Sequence, residues 1–161
     1  MLYASELQND QIVYKNDYIL NHEKSYNKLK YINDRLGLSL SFKDLSDNKI
    51  VINLYDLLNN NNIQNITRKQ FVTNLLDEYF IGFISYDNGY INMRNTLNKG
   101  ILDKSVDKRY INYNIFNNID NSKRYYIIPN KINILDTNPI EVHIAEGPFD
   151  ILGIFYNIFN G

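Results

Sequence analysis

The fold is decided by residues 79–95, which read YFIGFISYDNGYINMRN. The apolar runs Tyr79–Tyr86 and Tyr90–Asn95 flank Asp87-Asn88-Gly89. The Asn88-Gly89 pair is a strong β-hairpin signal because both residues tolerate the positive φ of a type I′ turn. Alternation along the second run gives a polar face and an apolar face. The polar face carries Tyr90, Asn92 and Arg94. The sequence therefore predicts an antiparallel hairpin with an arginine near its end.

Two segments after the hairpin have the same β-rich composition and begin with arginine. They are Arg109–Phe116 and Arg124–Ile128, and both are predicted to continue the antiparallel sheet. The polar stretch 96–108 connects the hairpin to the first of them, with Gly100 as a break.

Helices are predicted before the hairpin. Apolar residues recur at three- and four-residue intervals in Asn21–Leu36, and Gly37 is placed to end that helix. Ser41-Phe42-Lys43-Asp44 is a capping-box pattern that opens a short helix, and a second such pattern begins at Thr67. Ile50–Leu54 fits either a strand or a continuing helix.

A second informative stretch, residues 140–152, reads IEVHIAEGPFDIL. Its apolar run predicts a buried strand, Gly147 permits a sharp turn, and Pro148 suits the first position of a helix. Glu146 then lies at the carboxyl end of the strand, where open α/β sheets bind their ligands. Asp150 falls in the first helical turn, where the helix dipole favours a negative charge.

The last predicted helix has a wide apolar face that needs a cover, since an exposed face of this kind promotes association. The face comprises Ile151, Leu152, Ile154, Phe155, Ile158 and Phe159.

Composition limits the classes of function. The 161 residues contain no cysteine, which excludes disulfides, a zinc ribbon and a thiol nucleophile. The formal net charge is −1, but residues 94–131 hold eight Lys and Arg against three Asp, whereas residues 132–161 hold four acidic residues and no basic ones. A basic segment suits phosphates and an acidic one suits divalent cations. No apolar leader or membrane-spanning stretch is evident, so a cytoplasmic location is expected.

The pattern Glu146-Gly147-x-x-Asp150-x-Leu152, after an apolar run, resembles the first motif of the toprim domain. An antiparallel αβ section that leads into this motif is similar to the catalytic core of bacterial and phage DNA primases, and the hairpin ending at Arg94 resembles one in the primase N-terminal subdomain. The resemblance implies an α+β fold, with a primase-like subdomain over residues 1–135 and the first strand and helix of a toprim domain over residues 136–161.

The resemblance also implies an activity, which is template-directed synthesis of RNA primers for DNA replication. Glu146 would act as a metal ligand or general base, and Asp150 would support a site for Mg²⁺ or Mn²⁺. Arg94, Arg109 and Arg124 would contact phosphates of a single-stranded DNA template or of nucleotides. A helicase is a further partner of such enzymes.

Only fifteen residues follow Glu146, so the second toprim motif, Asp-x-Asp, is not within these residues. The zinc-binding module that precedes primase cores is also not within these residues. One glutamate cannot hold the metals of phosphoryl transfer, and we expect this piece to be inactive without the remaining toprim strands, supplied in cis or in trans.

Other interpretations stay open. A toprim nuclease or topoisomerase would use the same carboxylates, and a noncatalytic replication adaptor would use the apolar helix. Glu146 also fits a solvated turn residue, and Arg94 fits a surface strand arginine. His22 and His143 are isolated histidines and receive no role.

Overall fold

The chain is described by a computed structural model over residues 23–54, 57, 78–86, 88–97, 109–114, 125–128 and 142–159. This part is an α+β fold in which helices flank a four-stranded antiparallel sheet, as the sequence predicted. In chain order its elements are α1 (Glu23–Leu36), α2 (Phe42–Asp47), β1 (Ile50–Val51), β2 (Phe80–Ile84), β3 (Tyr90–Asn95), β4 (Tyr110–Asn114) and α3 (Pro148–Ile154), which a π-helical segment (Phe155–Phe159) extends.

Local sequence signals set the ends of the first two helices. Gly37 has φ 66°, and the amide of Leu38 donates to the carbonyl of Asn33 at 3.0 Å, which closes α1 as a left-handed glycine closes a helix. The Ser41 hydroxyl accepts from the Asp44 amide at 3.2 Å, and the Asp44 carboxylate accepts from the Ser41 amide at 2.7 Å. The predicted stop and the predicted capping box are both confirmed.

The sheet is a meander in the order β1-β2-β3-β4. In β1, Ile50 pairs with Phe83 and Val51 pairs with Gly82, so this segment begins as a strand. Strands β2 and β3 form the predicted hairpin, and β4 lies along the other side of β3.

The hairpin loop is one residue longer than the predicted Asp87-Asn88-Gly89, because Tyr86 also belongs to it. Ser85 and Tyr90 still pair, through a bond from the Ser85 amide to the Tyr90 carbonyl and one from the Tyr90 amide to the Ser85 hydroxyl. The amide of Asn88 donates to the carbonyl of Ser85 at 3.0 Å, and Asn88 has φ 61°. The type I′ turn on Asn88-Gly89 was therefore wrong, because Ser85 closes the hairpin before that pair.

One face of the sheet packs against the helices and contributes to a hydrophobic cluster with them. Ile50, Ile81 and Phe83 point from β1 and β2 toward the helices, and all three are buried. The same cluster also contains Ile32, Leu40, Leu45, Ile52, Phe149 and Leu152. The C-terminal helix therefore shares one core with α1, α2 and the sheet.

Residues 125–128 do not continue the sheet as a strand. The carbonyl of Tyr125 accepts from the amide of Tyr86 in the hairpin loop at 3.0 Å, and the ring of Tyr126 packs on Phe83 with centroids 5.6 Å apart. The predicted strand Arg124–Ile128 is wrong for these four residues, because their side chains pack on the face of the sheet instead of their backbone extending its edge.

Residues 142–145 are not in a described strand either, although a strand was predicted over Ile140–Ala145. A parallel strand is stable only where neighbours satisfy its amides and carbonyls, and no described strand pairs with this segment. Val142 and Ile144 are 70% and 89% exposed. The helix that follows is confirmed, with Gly147 as N-cap and Pro148 in the first turn.

Several predictions fall outside the described residues. They include the helix after Thr67, Arg124 and the boundary near residue 136, so the division into residues 1–135 and 136–161 stays a prediction. Within the described ranges, no helix combines the length and the apolar character needed to cross a membrane.

Candidate functional site

A groove of about 550 Å³ lies between the sheet and the segment that carries Glu146. Its floor is formed by Phe83 of β2 and the following Ser85, by Asn92 of β3 and by Asn112 of β4. One wall is residues 125–127, and the other is residues 142–148 with Ile151 of α3. Its volume is within the range of small-molecule sites in proteins.

The floor is polar because β3 and β4 place two asparagines opposite each other. Asn92 and Asn112 are register partners, and the Asn92 amide nitrogen donates to the Asn112 side-chain oxygen at 2.6 Å. The Asn92 side-chain oxygen is shielded from solvent and makes no hydrogen bond to a described residue. Asn112 is exposed and lines the groove. This pair leaves hydrogen-bonding capacity unused, which is common at binding sites and costly elsewhere.

Arg94 lies one step further along the same face. It is two residues from Asn92 on β3, about 7 Å away along the strand. It pairs with Tyr110 of β4, and its guanidinium carbon lies 4.5 Å from the centre of the Tyr110 ring. Arg94 is only 8% exposed, and its Nε makes no hydrogen bond to a described residue. Sequence alternation placed Arg94 on this face correctly, but it is a buried arginine and not a surface one.

The aromatic wall is anchored in the core. The Tyr126 hydroxyl donates to the Asn48 carbonyl, and burial raises the pKa of Tyr126 far above its ordinary value. Tyr125 is half exposed and stacks on Tyr86, with ring centroids 6.0 Å apart and an angle of 21° between the planes. The wall therefore has a fixed inner residue and an accessible outer aromatic pair.

Glu146 is exposed and lies at the rim of the groove, just before α3. Asp150 is also exposed, but it lines a different hollow, together with Arg35 and the outer side of α3. Among the described residues, no three acidic or histidine side chains gather closely enough to hold a metal ion. The described carboxylates thus do not form a Mg²⁺ site by themselves, and the predicted metal needs ligands from elsewhere.

The other two arginines that were predicted to contact phosphates, Arg109 and Arg124, differ in what the structure shows of them. The guanidinium of Arg109, just before β4, donates to the carbonyl of Leu97 at 2.6 Å, so part of its hydrogen-bonding capacity supports the connection from β3 to β4. Arg124 lies outside the described residues. Arg94 is therefore the described arginine best placed beside the groove.

Sequence reasoning missed several residues of this site. Asn92 was assigned to the polar face, but its pairing with Asn112 depends on the register of β4, and no local pattern sets that register. Tyr125 and Tyr126 were interpreted as strand residues. His143, which received no role, lines the groove beside Glu146. The adjacent aromatic residues Tyr125 and Tyr126, just before Ile127, were a sequence signal that could have pointed to this wall of the groove.

No protein-family model, curated protein or solved structure matches the chain. The fold and site define an α+β domain with a groove over a four-stranded antiparallel sheet, in which asparagine side chains lie on the floor and most of the walls are apolar. Any assignment of activity therefore depends on the sequence motif and the chemistry of that groove.

Proposed function

We propose that this chain is part of a primase-type catalytic core that binds single-stranded DNA template and nucleotides in the groove. The observation that carries the proposal is the position of Glu146. This carboxylate follows an apolar segment, precedes a helix, and lies at the rim of a groove whose floor is the polar half of the sheet. The order of these features is that of the toprim motif to which the sequence is similar.

Arg94 supports the proposal from β3, two residues beyond Asn92 of the groove floor. A guanidinium that is largely withdrawn from water, with an Nε that bonds to no described residue, is stabilised by an anion nearby. Phosphate oxygens are strong acceptors for arginine. A nucleic-acid or nucleotide phosphate is therefore the ligand we assign to Arg94.

Primer synthesis also needs divalent metal ions, which would activate the attacking hydroxyl and stabilise the leaving pyrophosphate. Glu146 is the one carboxylate that the described groove contributes. The other ligands belong to the remainder of the toprim domain, in cis or on another chain, so this chain alone should synthesise no primers. Robust synthesis from template, nucleotides and Mg²⁺ by these 161 residues would contradict that assignment.

Binding of a single-stranded oligonucleotide at two salt concentrations tests the groove. The affinity should fall as salt rises, and Arg94→Gln should reduce the salt slope by about 0.7, the value for one phosphate contact on a single strand. Lys43→Gln is the matched control, since it removes one positive charge from the exposed surface of α2. Thermal unfolding of each variant shows whether it is folded.

An affinity that ignores salt, or an equal effect of the two variants, would overturn the assignment of Arg94. Either result would favour the second candidate function, a noncatalytic replication adaptor. The observation in favour of an adaptor is the exposure of Val142, Ile144 and Ile158, at 70%, 89% and 58%, on consecutive C-terminal segments.

A further inference from the structure

We infer that the groove floor beside Arg94 is a subsite for an unpaired nucleobase, read by Asn112 and flanked by Tyr125. The inference rests on the proposed function in taking the ligand to be a nucleic acid or a nucleotide. It adds that the base of this ligand binds at Asn112 and Tyr125, while its phosphate binds at Arg94. Neither the toprim-like motif nor the arginines assign a role to these two residues.

The first argument is the chemistry of the asparagine pair. The Asn112 side-chain oxygen is occupied by the Asn92 amide at 2.6 Å, so the group that Asn112 offers to a ligand is its amide nitrogen. That nitrogen donates hydrogen bonds, and the carbonyls on base edges accept them. Pyrimidines and guanine carry such carbonyls.

The second argument is the wall. Tyr125 lines the groove, is 47% exposed, and its ring is held by the stack on Tyr86. A ring fixed in this way offers a surface on which a base stacks, and base stacking on aromatic side chains tolerates different base identities. Stacking and the amide donor together suit a planar heterocycle better than a sugar or a peptide.

The third argument is the order of groups along the sheet face. The pair Asn92–Asn112 and the pair Arg94–Tyr110 are successive on this face of β3 and β4, about 7 Å apart. A base above the first pair therefore places its sugar-phosphate toward the second. One face of the sheet provides a base contact and a phosphate contact in that order.

The test compares binding of uridine 5′-monophosphate with binding of ribose 5-phosphate, which lacks the base. The parent protein should bind the nucleotide about tenfold more tightly, as expected for one base contact with stacking. Asn112→Asp keeps an oxygen to accept from Asn92 but loses the donor, so the ratio of the two affinities should fall toward one. Asn157→Asp, on an exposed helical position beyond the groove, is the matched control and should leave the ratio unchanged.

The ratio cancels the effect of the added negative charge, because both probes carry the same phosphate. Tyr125→Leu should lower the ratio as well, whereas Tyr26→Leu, at a half-exposed tyrosine of α1, should not. A parallel comparison of an oligothymidylate with an abasic oligonucleotide shows whether the base belongs to a strand or to a free nucleotide.

A parent ratio near one with both pairs of probes, or a ratio that Asn112→Asp leaves unchanged, would overturn the inference. Failure of the proposed function would give a different set of binding results. A base-dependent ratio that Asn112→Asp abolishes, without salt-dependent binding through Arg94, would support the nucleobase subsite and reject the primase-type core.

Discussion

At the scale of the residue, Gly82 shows how tightly β2 is packed on the face opposite to Ile81 and Phe83. A Cβ at this position would lie 2.6 Å from Cδ2 of Leu54 and 3.0 Å from Cγ2 of Ile91. Both neighbours are fully buried, so they have little room to move. Glycine is needed here for space, in contrast to Gly37, where the positive φ of 66° is the reason.

Gly82→Ala should therefore lower the free energy of unfolding by about 1–3 kcal/mol through overpacking. Gly153→Ala is the matched control, because a Cβ there meets nothing within 4 Å. Alanine in a helix should raise stability by about 0.5–1 kcal/mol. Urea titration measures both changes, and equal effects of the two substitutions would contradict the packing argument.

The buried phenol of Tyr126 leads to a prediction about how the free energy of unfolding depends on pH. Burial raises the pKa of its phenol in the folded state, with the nearby Tyr156 adding to the shift, whereas the unfolded chain has the ordinary value of about 10. The unfolded state therefore loses its proton first. The stabilisation is complete below pH 10 and is lost as the pH rises above it, by up to about 1.4 kcal/mol per pH unit.

Tyr126→Phe should remove this part of the alkaline loss, so its stability should fall less steeply with pH than that of the parent. Near neutral pH the same substitution should cost about 1–3 kcal/mol, because it takes away the donor to the buried carbonyl of Asn48. Urea unfolding at a series of pH values separates the two effects. Identical slopes for parent and variant would show that Tyr126 is not protected in the folded state.

At the scale of the element, α3 is buried on a side that only partly overlaps the apolar face predicted from periodicity. Phe149 and Leu152 are buried, and Tyr156 accepts from the side-chain nitrogen of Asn48 at 2.7 Å. Positions 149, 152 and 156 lie on one side of a helix. The predicted apolar face is only partly covered, and Ile158 is 58% exposed.

Leu152→Ala should consequently cost about 2–5 kcal/mol, the range for a buried leucine. Ile158→Ala should change stability by no more than about 0.5 kcal/mol, as an exposed substitution does. Thermal or urea unfolding of the two variants compares the faces directly. A greater loss at Ile158 would show that α3 packs through the Ile158 side of the helix instead.

At the scale of the whole molecule, one core joins the N-terminal helices, the sheet and α3. The aromatic ring of Phe149 contacts Phe83 of β2, with centroids 5.3 Å apart, and Tyr31 of α1, with centroids 6.1 Å apart. Arg35 of α1 lies over the same ring at 4.4 Å. Residues on both sides of the predicted boundary at residue 136 therefore stabilise one another.

Phe149→Ala should accordingly shift the single unfolding transition of the whole protein to lower urea, with a loss of about 3–5 kcal/mol and an unchanged slope. Near-ultraviolet and far-ultraviolet circular dichroism should report the same midpoint. Two separate transitions, of which only one responds to the substitution, would show instead that the C-terminal segment folds independently.

The sequence was informative where a structure depends on neighbouring residues. The hairpin, the stop at Gly37 and the capping box at Ser41 each depend on only a few adjacent residues, and the sequence predicts all three. Lys28 shows the limit of such patterns. It is 2% exposed, and its ammonium group donates to the carbonyl of Ile52, a residue 24 positions away.

Some features of the candidate site likewise follow from the sequence, whereas others depend on the tertiary structure. Sequence by itself determined the polar face of β3, the position of Glu146 before a helix and the motif on which the primase-like proposal depends. Only the tertiary structure decided that Asn92 lies opposite Asn112, that Arg94 is buried on Tyr110, and that Glu146 and Asp150 line different hollows. The reason is physical: turns and caps are set by short-range sterics and hydrogen bonds, whereas register, burial and side-chain neighbours are set by contacts between residues far apart in the chain.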